Sequence, residues 1–357
     1  MKKIILCVVL LVIVTVFSGT LSSCGANRET LNLFNWGAYM SQGDDGLMDV
    51  VGEFEKEFGI KVNEQYFDSN EQMYSKLISG SAEFDLLIPS EYMIARLIEE
   101  DRLEPLNFAA IPNYEYIDDA YKGSTWGYDS EDKYSVPYTW GLVGLAYNTK
   151  QITEPVDSWD MLWNEKYKDK ILMFFNPRDC FGIAQKRLGY SMNSTSRDEL
   201  DAAAEELKKQ RPLVSAYIQD EMMEKMISGE SYLTPCFAGD GVTIMDSNED
   251  VNVVFPKEGY NIFVDAMVIP KGAKNKANAE KFINFINRPE VALNNILYIQ
   301  YSTPHTEAYK NLPEEIKSNK IIYPDGETIA RAEGFKHLPK ETSDYMDDLW
   351  QEIKFGN

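Results

Sequence analysis

The chain has 357 residues, 44% of them hydrophobic, which is enough for a sizeable core and more than one domain usually holds, so two domains are expected. A formal charge of -22 makes nucleic acid a poor partner and favours the approach of a cation. Such a balance also simply keeps a protein soluble, so charge alone does not name a ligand.

The N-terminus reads differently from the rest. Lys2 and Lys3 precede an apolar run over residues 4–17, then small residues, then Cys24. A short positive start and an apolar stretch too short for a comfortable membrane span predict an export signal over residues 1–23. Leu21-Ser22-Ser23-Cys24-Gly25 is similar to the lipobox of bacterial lipoproteins, which implies a lipidated Cys24 as the first mature residue, outside the cytoplasm and tied to the membrane. Cys7 leaves with the signal. Cys180 and Cys236 remain, and an oxidising compartment allows either a bridge or two buried thiols.

After a polar tether at 25–30, strands and helices alternate. Residues 31–35 read as a strand. Leu47, Val50, Val51, Phe54 and Phe58 stand at helical spacing, with Gly59 as a stop. Residues 60–67 read as a strand, 73–78 as a helix capped by Ser69 and ended by Gly80, 84–89 as a buried strand, and 91–100 as a helix that follows Ser90. That alternation predicts an α/β fold with a parallel sheet covered on both faces. Residues 107–133 are loop-rich. Further strands are expected at 134–147, 251–255 and 262–269. Helices are expected at 198–209, 222–227, 277–286 (halted by Arg288-Pro289) and 342–353.

In open parallel sheets ligands bind beyond the carboxyl ends of the strands, which places the turn after Asn35 and the Ser90 turn at a site. The helix N–H groups after Ser90 are expected to form a polar wall there. Parts for nucleophilic or metal chemistry are scarce. His305 and His337 form no ligand pair, and H-E-x-x-H, C-x-x-C, G-x-S-x-G, G-x-G-x-x-G and phosphate-loop motifs are missing. Acidic residues abound, so composition alone leaves a glycosidase carboxylate pair open.

An ordered set of segments spans nearly the whole mature chain. It comprises Leu33-Phe34-Asn35-Trp36-Gly37-Ala38-Tyr39, Phe84-Asp85-Leu86-Leu87-Ile88-Pro89-Ser90-Glu91-Tyr92, Ser135-Val136-Pro137-Tyr138-Thr139-Trp140-Gly141 and Ser158-Trp159-Asp160-Met161-Leu162-Trp163. Phe237-Ala238-Gly239-Asp240, the run 262–270, the stretch 271–292 and Tyr301-Ser302-Thr303-Pro304 follow. Together they resemble the solute-binding proteins of bacterial polyamine importers, the spermidine- and putrescine-binding group.

The resemblance implies aromatic walls at Trp36, Tyr39, Phe237, Phe263 and Tyr301, ammonium anchors at Asp179, Asp240 and Asp265, and polar contacts at Ser90 and Tyr92. The physical logic stands beside it. An alkyl diammonium has charged ends and an apolar middle, aromatic faces suit both, and buried ammoniums need carboxylates. Taken alone, Phe263 reads as core, and Trp36 and Tyr39 read equally as core or site. Asp265, inside the apolar run 262–269, needs a partner if buried.

Departures from the family pattern bear on ligand length. Gly37 and Ala38 replace polar or acidic residues, Asn176 stands where some spermidine binders carry an acid, and Phe237 replaces a Trp. Lys336 falls where its ammonium would repel the far end of a triamine. These favour a diamine such as putrescine. Asp179 is expected to matter less if Arg178 occupies it.

The resemblance implies a two-lobe periplasmic-binding-protein fold of type II. Lobe one is expected over 29–139 and 266–311, lobe two over 140–265 and 312–357, with crossovers near 137–140 and 265–268 and the ligand closed between them. It implies a monomer without cofactor, metal or catalysis, and as partners an ABC permease and ATPase. A same-fold binder of ferric ion held by Tyr phenolates is the second reading, and an extracellular glycoside hydrolase the third.

Overall fold

The computed structural model of the protein describes residues 29–219 and 221–356, so Cys24 and the export signal lie outside the described residues. The first half follows the alternation closely. Strand β1 (Thr30–Trp36) and strand β2 (Lys61–Phe67) pair in parallel, with the helix Val50–Phe58 between them. That helix is capped by the Asp49 side chain and ends at Gly59, whose φ of 69° suits glycine. The helix Asn70–Ser79 is capped by Ser69 and closed by Gly80, as its sequence predicts.

The expected strand at 84–89 shrinks to β3 (Leu86–Leu87). Asp85 accounts for the difference. It is buried, and its carboxylate accepts from the backbone and side chain of Asn32 and from those of Asn275. Side-chain bonds thereby replace part of the ladder.

Strand β4 (Ser135–Asn148) is the spine. It is followed by β5 (Ile171–Phe174), β6 (Val214–Ile218), β7 (Leu233–Phe237), β8 (Val251–Val254), β9 (Tyr260–Val268) and β10 (Ala332–Gly334). The sheet runs β2-β1-β3-β9-β4-β7-β5-β6, with β10 on β9 and β8 on β4. β5 pairs in parallel with both β6 and β7, the same arrangement as β1 with β2. β4 and β9 pair across the middle of the sheet. Their antiparallel register shifts between Pro137 and Thr139, opposite Ala266 and Asp265. A bulge there bends and twists the pair.

β5, β6 and β7 escaped the periodicity reading. β5 and most of β7 are buried throughout, so they show no alternation. Arg288-Pro289 does end the helix Lys276–Ile286, yet Pro289 also opens a second helix, Pro289–Ile299, because proline at a first helical position forfeits no hydrogen bond. One core gathers Leu33, Phe54, Leu86 and Phe282. Another runs from Phe34 and Leu87 through Leu145 to Phe174, Leu207 and Trp350. Cys180 and Cys236 are both buried and unbridged, and the Cys180 thiol donates to the Phe174 carbonyl at 3.0 Å.

Candidate functional site

Parallel strands from both ends of the sheet aim their carboxyl ends at one cavity of about 440 Å³. Trp36 ends β1, Phe67 ends β2, Asn176 follows β5, Gln219 follows β6 and Phe237 ends β7, and all five line it. This is where an open α/β sheet offers outward-facing loops and helix starts. Every residue expected from the sequence to touch a ligand lines this same cavity.

Asp265 lies on β9 at the bulge and is 4% exposed. Its Oδ1 accepts from the Ser90 hydroxyl and its Oδ2 from the Tyr39 phenol, both at 2.7 Å. Thr139, its neighbour across the ladder, bonds the same phenol. The Ser90 side chain makes no cap hydrogen bond to the helix that follows it. Its hydroxyl is spent on Asp265, and its own position is fixed by Asn70 on either side of the residue. Tyr39 reaches Asp265 because Ala38 takes a left-handed φ of 50° and folds the chain back after Trp36. That conformation strains an L-residue and needs support from its surroundings. The Tyr138 hydroxyl supplies some, donating to the Tyr39 carbonyl at 2.6 Å.

Next to this network stand the aromatic faces. Tyr301 packs edge-on against Tyr39 at 5.4 Å and lies 6.1 Å from Phe263, and Phe237 meets Phe263 edge-on at 5.4 Å. The Tyr301 phenol donates to Asp240 at 2.7 Å. Trp36 is fixed by its indole N–H, which donates to the Ile88 carbonyl at 2.8 Å, and by the Phe67 ring at 4.4 Å.

A second set of acids surrounds Tyr92. Its phenol donates to Glu71 at 2.9 Å, and its ring meets Phe335 edge-on at 5.7 Å. Asp179 stands in the first turn of the helix Pro177–Arg187. The Asn176 side chain accepts from the Asp179 N–H at 2.9 Å and donates to its carboxylate at 2.7 Å, a reciprocal cap. Arg178 does not occupy Asp179. Its guanidinium donates to Met192, Asn193 and Lys336 oxygens. Phe335 lines the cavity and Lys336, the next residue, does not.

Burial pushes the Asp265 carboxyl up to about 6, with the Ser90 and Tyr39 hydroxyls pulling it down. Burial also raises Asp179 to about 6; the Asn176 hydrogen bond and Arg178 lower it, and the Glu71 charge adds to the rise. A carboxyl raised above its unfolded value of about 3.9 binds more protons folded than unfolded, so its contribution to stability is whole below that value and is lost as pH rises through about 6. Ligand-free Asp265→Asn is accordingly expected to melt a few degrees above the parent at pH 7.5, and the gap should close near pH 4. A gap that is the same at both pH values in thermal melts would contradict this account of the site's burial.

Sequence reasoning missed Glu71, Asn70 and Glu91. Glu71 had no apolar neighbour pattern to mark it; Asn70 and Glu91 sit beside residues that were recognised. Their signal was proximity to the capping Ser69 and to Ser90, visible only once the two turns are known to converge.

A family model described as bacterial extracellular solute-binding protein matches residues 49–324. The chain is similar to the spermidine/putrescine-binding periplasmic protein of Salmonella typhimurium, at 33% identity over 95% of each chain. A solved spermidine/putrescine ABC transporter substrate-binding protein from Streptococcus pneumoniae matches with a TM-score of 0.75 and 36% identity, covering 92% of this chain and 99% of that one. A solved structure from Listeria monocytogenes matches with a TM-score of 0.87 and 37% identity, covering 92% of this chain and all of the other. The shared architecture is the two-lobe type II periplasmic-binding-protein fold.

Proposed function

We infer that this chain, which belongs to the bacterial extracellular solute-binding protein family, captures a polyamine between its lobes and hands it to an ABC importer. The observation that carries this reading is the carboxylate pattern. Asp265 and Asp240 stand among Tyr39, Phe263 and Tyr301, while Glu71 and Asp179 surround Tyr92, all on one cavity. Two acidic groups separated by aromatic faces suit two ammonium ends joined by methylenes. The relatives that the chain covers almost entirely are binding proteins for spermidine and putrescine, and this protein is a binder, not an enzyme.

The lobes are proposed as residues 29–139 with 266–311, and 140–265 with 312–357, hinged at the bulge opposite Asp265. A ferric site made of phenolates fits poorly. Tyr39 and Tyr301 are held well above their ordinary range by burial, with carboxylates nearby, and each already donates its proton to an acid. Equilibrium dialysis with labelled putrescine and spermidine is expected to give one ligand per chain, recovered unchanged. Saturable binding of ferric ion with none of either amine, or sugar turnover, would replace this reading.

Anchoring through a lipid on Cys24 is part of the proposal, as are a monomeric state and permease and ATPase partners. No helix among the described residues is long and apolar enough to cross a membrane. Cys24→Ser is expected to leave the signal uncleaved by the lipoprotein pathway and to abolish lipid labelling. A Cys24→Ser protein that still incorporates labelled fatty acid and runs at the mature size would contradict it.

A further inference from the structure

Glu91 lines the cavity but belongs to none of the contacts expected from the sequence. We propose that Glu91 is a further ammonium-binding residue, which releases a proton to solvent when a ligand cation settles beside Asp265. This rests on the cationic-ligand reading above.

The geometry begins with the chain. Glu91 opens the helix Glu91–Glu99 directly after Ser90, whose hydroxyl holds Asp265. Its Oε2 accepts from the Val264 N–H at 3.1 Å, the residue before Asp265. Glu91 and Asp265 are therefore bound to each other's flanking residues. Glu91 is 2% exposed, and its Oε1 is buried without a hydrogen-bond partner. Holding the Val264 N–H would explain one oxygen only. A buried oxygen left without a partner on a cavity wall is costly unless something in the cavity completes it.

The charged and titratable groups that face Glu91 come from three elements. Asp265 on β9 disfavours a second negative charge. Arg178, on the helix Pro177–Arg187, favours one, but its guanidinium is committed to other oxygens. Tyr128 is a buried phenol held neutral. Burial and the Asp265 charge push Glu91 up to about 8, against the backbone N–H groups of Val264, Glu91 itself and Phe335, so near neutral pH it holds its proton while Asp265 does not. An arriving ammonium reverses that preference. The Glu91 O–H bond breaks, its proton goes to solvent, and the carboxylate left behind shares the cation with Asp265. The ligand keeps its own protons, since alkylammonium groups lose them only near pH 10.

Affinity should therefore rise with pH from about 6.5 to about 8 and level off above. The test is titration calorimetry of putrescine into the mature chain at pH 7 in phosphate and in Tris, whose ionisation heats differ. The expected result is the release of somewhat under to about one proton per ligand in the parent, and almost none in Glu91→Gln, which keeps an acceptor for Val264. Binding in the parent with no proton released would overturn this inference and leave the ligand reading intact, and that result does not depend on the variant folding. Proton release that persists in a folded Glu91→Gln would also overturn it. Absence of binding by the parent to putrescine and spermidine alike would instead sink the ligand reading, and this inference with it.

Discussion

Asp265→Asn is expected to weaken polyamine binding by roughly 2–4 kcal/mol, about thirtyfold to several hundredfold. The carboxylate is 4% exposed and held by two hydroxyls, Ser90 and Tyr39, and among the described residues no Lys or Arg forms an ion pair with it. Both hydroxyls are neutral donors, so they orient the charge without neutralising it. A ligand ammonium supplies the missing charge, and charge-assisted bonds of this kind are strong. Asparagine keeps the shape and one acceptor but leaves the ammonium unpaired in a buried place. Asp201→Asn, on the exposed side of the helix Arg197–Gln210, is the control and should change affinity little. Calorimetric affinity of both variants, with thermal melts for folding, decides the matter. Native affinity in a folded Asp265→Asn would remove the central anchor from the site.

Gly239→Ala is expected to separate folding from closure. Gly239 sits in the first turn of the helix Ala238–Ser247, and a Cβ there would fall 2.1 Å from two ring atoms of Tyr301. In the proposed division Gly239 belongs to lobe two and Tyr301 to lobe one, so the collision exists only when the lobes are together. Alanine is a better helix residue than glycine by about 1 kcal/mol, so the ligand-free protein should melt no lower than the parent. Overpacking of a close contact costs about 1–3 kcal/mol, which predicts affinity lower by roughly fivefold to 150-fold. The same methyl also dislodges the Tyr301 phenol from Asp240. Native affinity and a native melt together would mean that this contact does not close over the ligand. A fall in the ligand-free melt would mean that the methyl harms the fold itself.

Most of the first half of the chain was readable because its elements carry local signals. Ser69 and Gly80 bracket a helix by capping chemistry, and Leu31 and Leu33 alternate with polar residues on β1. Strands β5 and β7 were not readable, because burial on both faces erases alternation in runs of four or five residues. The long-range pairing of β4 with β9, which brings Thr139 opposite Asp265, has no local signal at all. For the site, the aromatic and acidic residue types were visible in the sequence, as was Asp265 as an anomaly in an apolar run. Their convergence was not, since Tyr39, Ser90 and Asp265 meet over separations of 175 and 226 residues. Arg178 departs from expectation for a related reason. Neighbours in sequence need not point the same way, and the Arg178 side chain leaves Asp179 to Asn176.

Two-ended recognition is the core of the account, and comparing putrescine with butylamine by titration calorimetry on the mature chain tests it most directly. The two ligands share a four-carbon chain and differ in one ammonium. The account predicts stoichiometric binding of putrescine, and binding of butylamine weaker by about a hundredfold or more, since one set of acids is then left without its cation. Equal affinity for the two, or no binding of putrescine and spermidine at all, would contradict it.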